Sequence, residues 1–116
     1  MKTQSAKAKG RRLQQWTRDQ VLESYPKLTE DDVRSTGMGQ GGSDLQLSTA
    51  AKDVFPFELE CKNQERVNVW ASFEQCESNA GEREPLLIIK RNCCAPLAVV
   101  DAEWLFENIN KLNGGK

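Results

Sequence analysis

The chain has 116 residues, room for one domain around one core, and its 38% hydrophobic and 28% charged residues are the balance of an ordinary globular fold. No apolar run approaches the ~20 residues that span a bilayer, and no apolar stretch follows the basic N-terminus, so neither a membrane segment nor a secretory signal is expected. The formal charge is -1 and histidine is absent, which excludes Ser-His-Asp and Cys-His hydrolases, His-ligated nucleases and zinc deaminases of the H-x-E type.

Residues 1–9 read as a flexible basic arm. Lys2, Lys7, Lys9, Arg11, Arg12 and Arg18 precede the first acid, a pattern that fits either phosphate contact or a solvated tail. Residues 10–112 read as one domain. Leu13, Trp16 and Gln20 mark one face of an amphipathic helix over 10–25, ended by Pro26. Val33 opens a short strand candidate. Four glycines then fall within residues 37–42, too permissive a backbone for regular structure. The loop leads into Ser43 and Asp44 and a strand with Leu45 and Leu47. Residues 48–53 are a loop or a short helical turn.

The next strand carries the clearest alternation. Phe55, Phe57, Leu59 and Cys61 point one way, and Glu58, Glu60 and Lys62 the other. A helix over 69–80 bears Trp70, Phe73 and Cys76 as a stripe and closes at Gly81. Two buried-type strands, 86–90 and 97–101, form a hairpin candidate. A final helix over 102–112 carries Trp104, Leu105, Ile109 and Leu112, and residues 113–116 fray. The three tryptophans fall on apolar stripes and read as core or dimer residues. The order implies an α/β or α+β fold with a mixed central sheet flanked by helices.

The cysteines Cys61, Cys76, Cys93 and Cys94 show no C-x-x-C spacing, so they read as reduced thiols of a cytoplasmic protein and not as a zinc site.

Without histidine, metal or acid–base chemistry must rest on carboxylates, lysine and amides. Glu60 and Lys62 share one strand face, and Asp44 stands at the exit of the glycine loop. If their strands pair as a hairpin, the two carboxylates approach each other. At about 4 Å they repel by roughly 4 kcal/mol at an effective dielectric near 20. A divalent cation offsets that repulsion, and Mg²⁺ is often held by one or two carboxylates plus substrate phosphate. The carbonyl of Cys61 is a further candidate ligand. Such a site suits phosphodiester hydrolysis, with Lys62 countering charge on the phosphate. A solvent-facing Glu-Lys pair is the plain alternative for Glu60-x-Lys62 taken alone.

Asp44 followed by Glu60-Cys61-Lys62 resembles the PD-(D/E)xK nuclease pattern. Together with Lys9-Gly10, Arg34-Ser35-Thr36-Gly37 and Gly41-Gly42-Ser43-Asp44, it is similar to the small Holliday junction resolvases of archaea and phages, over about residues 9–89. The resemblance implies a restriction-endonuclease-like fold, a homodimer, and Mg²⁺-dependent nicking of branched or duplex DNA, with Mn²⁺ as a substitute. It implies Asp44 and Glu60 as metal ligands and Lys62 as the catalytic lysine. Gln14 stands where the family usually has a glutamate, and Gly42 where it has a proline. Gln75 resembles a glutamine that several members hold near the site. Lys9, Arg11, Arg12, Arg34 and Ser43 are candidate DNA contacts. The location implied is cytoplasmic, in the host cell if the chain is phage-encoded. Nicking, repair or homing-type nucleases share this chemistry, and a non-catalytic DNA-binding module of the same fold is a further reading.

Overall fold

A computed structural model describes residues 3–35 and 44–112, with side chains from Ala6 onward. The glycine-rich loop, Ser43 and residues 113–116 lie outside the described residues. The elements run α1 (Thr3–Ser24), β1 (Val33–Ser35), β2 (Leu45–Leu47), α2 (Thr49–Val54), β3 (Phe57–Asn63), α3 (Val69–Ala80), β4 (Glu84–Lys90), β5 (Leu97–Val99) and α4 (Ala102–Leu112). None of the described helices is long and apolar enough to cross a membrane. All four cysteines are free.

The strands form two sheets. β1 and β2 pair antiparallel, with Ser35 opposite Leu45. β3 pairs parallel with β4, placing Glu60 opposite Leu87 and Cys61 opposite Ile88, and β4 pairs antiparallel with β5. A parallel pair needs a crossover, and α3 supplies it. The hairpin expected of 86–90 and 97–101 is present. Among the described residues the strands do not form one central sheet, and the Asp44 and Glu60 strands do not pair as a hairpin. β2 ladders with β1 instead, and three-residue strands carry too little pattern to fix a partner in advance. The two sheets meet where the Asp44 amide donates to the Leu59 carbonyl at 2.9 Å.

Strand alternation divides the three-stranded sheet into two faces. Leu59 and Ile88 face α1, joining Leu13, Val21, Val33, Leu45, Ala51 and Phe55 in the main core. On the other face, Leu87 is fully covered, and Cys76 and Ala80 of α3 are buried with it. Arg83 ties the start of β3 to the start of β4: its Nε meets Glu58 Oε2 at 2.6 Å, and its Nη2 donates to the carbonyls of Phe55 and Phe57.

Local chemistry sets the helix ends. The Ser48, Asn68 and Asp101 side chains accept from Ala51, Ala71 and Trp104 amides at 3.1, 3.1 and 3.0 Å, which are N-caps for α2, α3 and α4. Gly81 takes φ 62 just after α3, where a side chain would be strained.

Helix α1 departs from expectation in two ways. It begins at Thr3, so most of the stretch expected as a flexible arm is helical, as its alanines and lysines allow. Its buried side is also turned from the expected one. Leu13, Gln14, Thr17 and Val21 are covered, whereas Trp16 keeps 42% of its surface exposed. Thr17 can be buried because its hydroxyl donates to the Leu13 carbonyl at 2.8 Å. Trp70 is 83% exposed, so it is not a core residue of this chain. Trp104 does pack, edge-on against Phe57 with ring centroids 4.8 Å apart.

Leu59→Ala, opening a cavity beside β3, is expected to cost about 2–5 kcal/mol in urea unfolding. Trp70→Ala should stay within about 0.5 kcal/mol. Equal losses at the two positions would mean that Trp70 is covered in solution.

Candidate active site

Strand β3 places the chemistry. Its side chains alternate, so Cys61 turns toward α1 while Glu60 and Lys62 turn toward α3. The Cys61 thiol donates to Thr17 Oγ1 at 3.6 Å, and burial pushes its pKa up to about 12. It is therefore a neutral thiol at physiological pH and a poor ligand. Its backbone is another matter. The Cys61 amide donates to Asp44 Oδ2 at 2.6 Å. Within a strand a residue's N–H and C=O leave toward the same edge, so the Cys61 carbonyl points to the Asp44 side and away from β4.

Asp44 is thus bound twice to β3, by its amide to Leu59 and by its carboxylate to Cys61. This brings Asp44 beside Glu60 without the expected hairpin. Desolvation raises the Asp44 pKa, against the Cys61 hydrogen bond and the Lys62 charge, which lower it.

Glu60 is only 5% exposed. Its Oε2 is buried without a hydrogen-bond partner among the described residues. Burial is the main cause, and the neighbouring Asp44 charge the second, of a pKa pushed up to about 7; the Asn79 amide and Lys62 act the other way. A carboxylate so placed is short of positive charge. Lys62, half-buried on the same face, supplies one, and a cation would supply more. Among the described residues no group of three or more His, Cys, Asp or Glu side chains could hold a metal. The donor set is two carboxylates and a carbonyl.

Gln14 comes from α1, on the Cys61 side of the sheet, and its Oε1 accepts from Ser35 Oγ at 2.7 Å. No hydrogen bond among the described residues joins it to Glu60. Gln75 of α3 is exposed. The α3 amide that reaches Glu60 is Asn79, one turn further on, which sequence reasoning missed; its signal was the i, i+3 spacing from the inward-facing Cys76.

The candidate DNA contacts separate. Arg34 is bound to Asp31 at 3.1 Å. Arg11 and Arg12 are exposed on α1. The Lys9 carbonyl accepts from Asn63 Nδ2 at 3.0 Å, which fixes α1 to the end of β3.

No protein-family model matches the chain, no curated protein is significantly similar to it, and no solved structure is a significant match.

The raised carboxyl pKa values carry a sign for stability. Between pH 4.5 and about 7 the folded chain holds the Glu60 proton more tightly than the unfolded chain does. Stability is therefore complete below that window and falls as pH rises through it, by at most on the order of 3 kcal/mol for this group; Asp44 acts in the same direction. In EDTA, the urea midpoint should fall from pH 5 to pH 8. Glu60→Gln should flatten much of the fall and exceed the wild type at pH 8 by about 1–3 kcal/mol. A variant that tracks the wild type across the window would show that Glu60 is not the strained group.

Proposed function

We propose that the chain is a magnesium-dependent DNA endonuclease of restriction-endonuclease-like fold, acting as a homodimer on branched DNA such as a four-way junction. The observation that carries this reading is the buried Glu60 carboxylate, with Oε2 unpartnered among the described residues, set beside Asp44 and Lys62. A carboxylate costs free energy to bury unless paired or bound to metal, and a binding-only protein gains nothing from two acids where a phosphate must approach.

The residues fit a hard cation. Asp44, Glu60 and the Cys61 carbonyl are all oxygen donors, and Mg²⁺ takes one or two carboxylates and fills its remaining positions with water and phosphate; Mn²⁺ accepts the same set. When bound, such an ion polarises the phosphate and lowers the pKa of water. The chain's own groups supply the rest. Lys62 lies on the Glu60 face of β3 and offers a positive charge to the oxygens that become more negative during phosphodiester cleavage. The double attachment of Asp44 to β3 holds the two carboxylates in register, so little reorganisation accompanies the reaction.

Paired nicks on opposed strands need two sites at a fixed separation, which a two-fold dimer provides. Helix α4 supports this, since Phe106, Ile109 and Leu112 are 72%, 49% and 55% exposed. The second reading, a non-catalytic DNA-binding module, draws support from Gln14, whose oxygen is bound to Ser35 and which adds no negative charge.

With a labelled four-way junction and the matching linear duplex, we expect Mg²⁺-dependent symmetrical nicks on the junction, absent in EDTA. Glu60→Gln and Lys62→Ala should each reduce the rate by about 10²-fold or more. Equal cutting of duplex and junction would keep the nuclease and remove the branch preference. Binding with no cutting in Mg²⁺ or Mn²⁺ would establish the second reading.

Mg²⁺ should also raise the melting temperature of the wild type at pH 8 and leave Glu60→Gln nearly unmoved, because a ligand stabilises only the state that binds it. A similar rise in both proteins would place the ion elsewhere.

A further inference from the structure

At the carboxyl ends of β3 and β4, on the α1 face of the sheet and so opposite Glu60 and Lys62, lies a second feature. It is a groove of about 540 Å³ between α1 and the β4–β5 turn. Ligands of α/β sheets commonly sit beyond the carboxyl ends of the parallel strands, and this volume is within the roughly 300–1,000 Å³ of small-ligand sites. From α1 come Lys9, Arg12, Leu13 and Trp16, at i, i+3, i+4 and i+7, which is one helical face. From the sheet come Asn63, the last residue of β3, and Lys90, the last of β4.

The lining has a specific chemistry. Leu13 is buried beneath the groove, and the neighbouring Trp16 indole is 42% exposed. Lys9, Arg12 and Lys90 bring three positive charges, and among the described residues none of them has an ion-pair partner. The one acid at the groove, Asp19, lies 3.7 Å from Arg18, whose charge offsets it. The groove is held in shape by the Asn63–Lys9 hydrogen bond. An open aromatic face among unpaired cations complements a chain of phosphates carrying bases that are free to stack. Duplex DNA presents phosphates but hides its base faces.

We infer that this groove binds an unpaired nucleic-acid strand, with a base stacked on Trp16 and the flanking phosphates on Lys9, Arg12 and Lys90. The site thereby selects DNA with a single-stranded or splayed segment. Asn63 follows Lys62 directly but turns to the α1 face, so a strand lying in the groove is on the opposite face of the sheet from Glu60 and Lys62 and reaches them only by rounding the carboxyl end of β3. The inference deepens the nuclease reading and rests on it for the position of the cut. The binding itself requires neither metal nor cleavage.

The test therefore uses the full chain carrying Glu60→Gln, in EDTA, with a fluorescent oligothymidylate of about 12 nucleotides and a duplex of equal length, read by anisotropy. The single strand should bind more tightly than the duplex. Adding Trp16→Ala should weaken the single strand on the order of tenfold, while Trp16→Phe should keep most of the affinity and Lys52→Ala, on α2 away from the groove, should change nothing. Lys9→Ala and Lys90→Ala should each flatten the salt dependence by roughly 0.7 in log–log slope. Circular dichroism melts of each variant separate lost binding from lost folding, with Trp16→Phe as the folded control.

Equal affinity for duplex and single strand, or a Trp16→Ala protein that is folded and binds unchanged, overturns the inference. So does displacement of the oligonucleotide by poly-glutamate at equal charge concentration, which would make the occupant an acidic protein. Loss of cleavage in the wild type with this binding intact would overturn the nuclease reading alone.

Discussion

One aspartate joins the two halves of this fold. The Asp44 amide donates to Leu59 and its carboxylate accepts from Cys61, at 2.9 and 2.6 Å. These bonds close the gap between a two-stranded and a three-stranded sheet whose edges would otherwise present unpaired amides and carbonyls. The same bonds fix a negative charge next to a second, buried one. Structural closure and chemical placement thus come from one side chain. A residue that only joined the sheets could be neutral, whereas a charged one here raises the pKa of Glu60 and weakens the fold as pH rises. On the proposed reading, a cation bound there would offset that repulsion.

That cost is bearable because the rest of the chain is built conventionally. The main core is aliphatic and aromatic, the short helices carry side-chain caps, and a partly buried ion pair, Arg83 with Glu58, sits at the opposite end of β3 with its guanidinium also bound to two carbonyls. Unfavourable electrostatics occur elsewhere, as at Glu84, whose pKa is raised by burial and by Asp101, Glu77 and Glu107; at the Asp44–Glu60 end they fall on a carboxylate only 5% exposed, the pattern expected where function competes with stability.

Several parts of this were legible in the sequence. The alternation of β3 was readable because an antagonistic pattern, apolar on one side and charged on the other, leaves no second register. Helix α3 was delimited by Gly81, where backbone chemistry is local, and α4 by the spacing of Trp104, Leu105, Ile109 and Leu112. The pairing of β2 was not readable. Three-residue strands carry too little pattern to choose a partner. The inward face of α1 was misjudged because tryptophan was given the weight of a core residue, while Thr17, able to return its hydroxyl to the helix backbone, was not. The proximity of Glu60, Lys62 and Asp44 was legible from residue type and spacing. Asn79 was not, since an amide on a helix acquires meaning only once the strand beneath it is placed.

The division of β3 into two faces also explains how its register is held. A shift by one residue would turn Glu60 into the aliphatic core and Cys61 outward toward α3. Hydrophobicity opposes that shift, but Cys61 is small and weakly discriminating. More specific contacts lie on both sides of the same residue: its thiol meets Thr17 of α1, and its amide meets Asp44. Each is lost if the strand slips. Cys61, the middle residue of Glu60-Cys61-Lys62, therefore does what neither charged neighbour can. It is neutral and apolar enough to enter the core, yet its backbone still reaches the carboxylate that marks the site. The acid and the lysine are set on the opposite face by the way this residue is held.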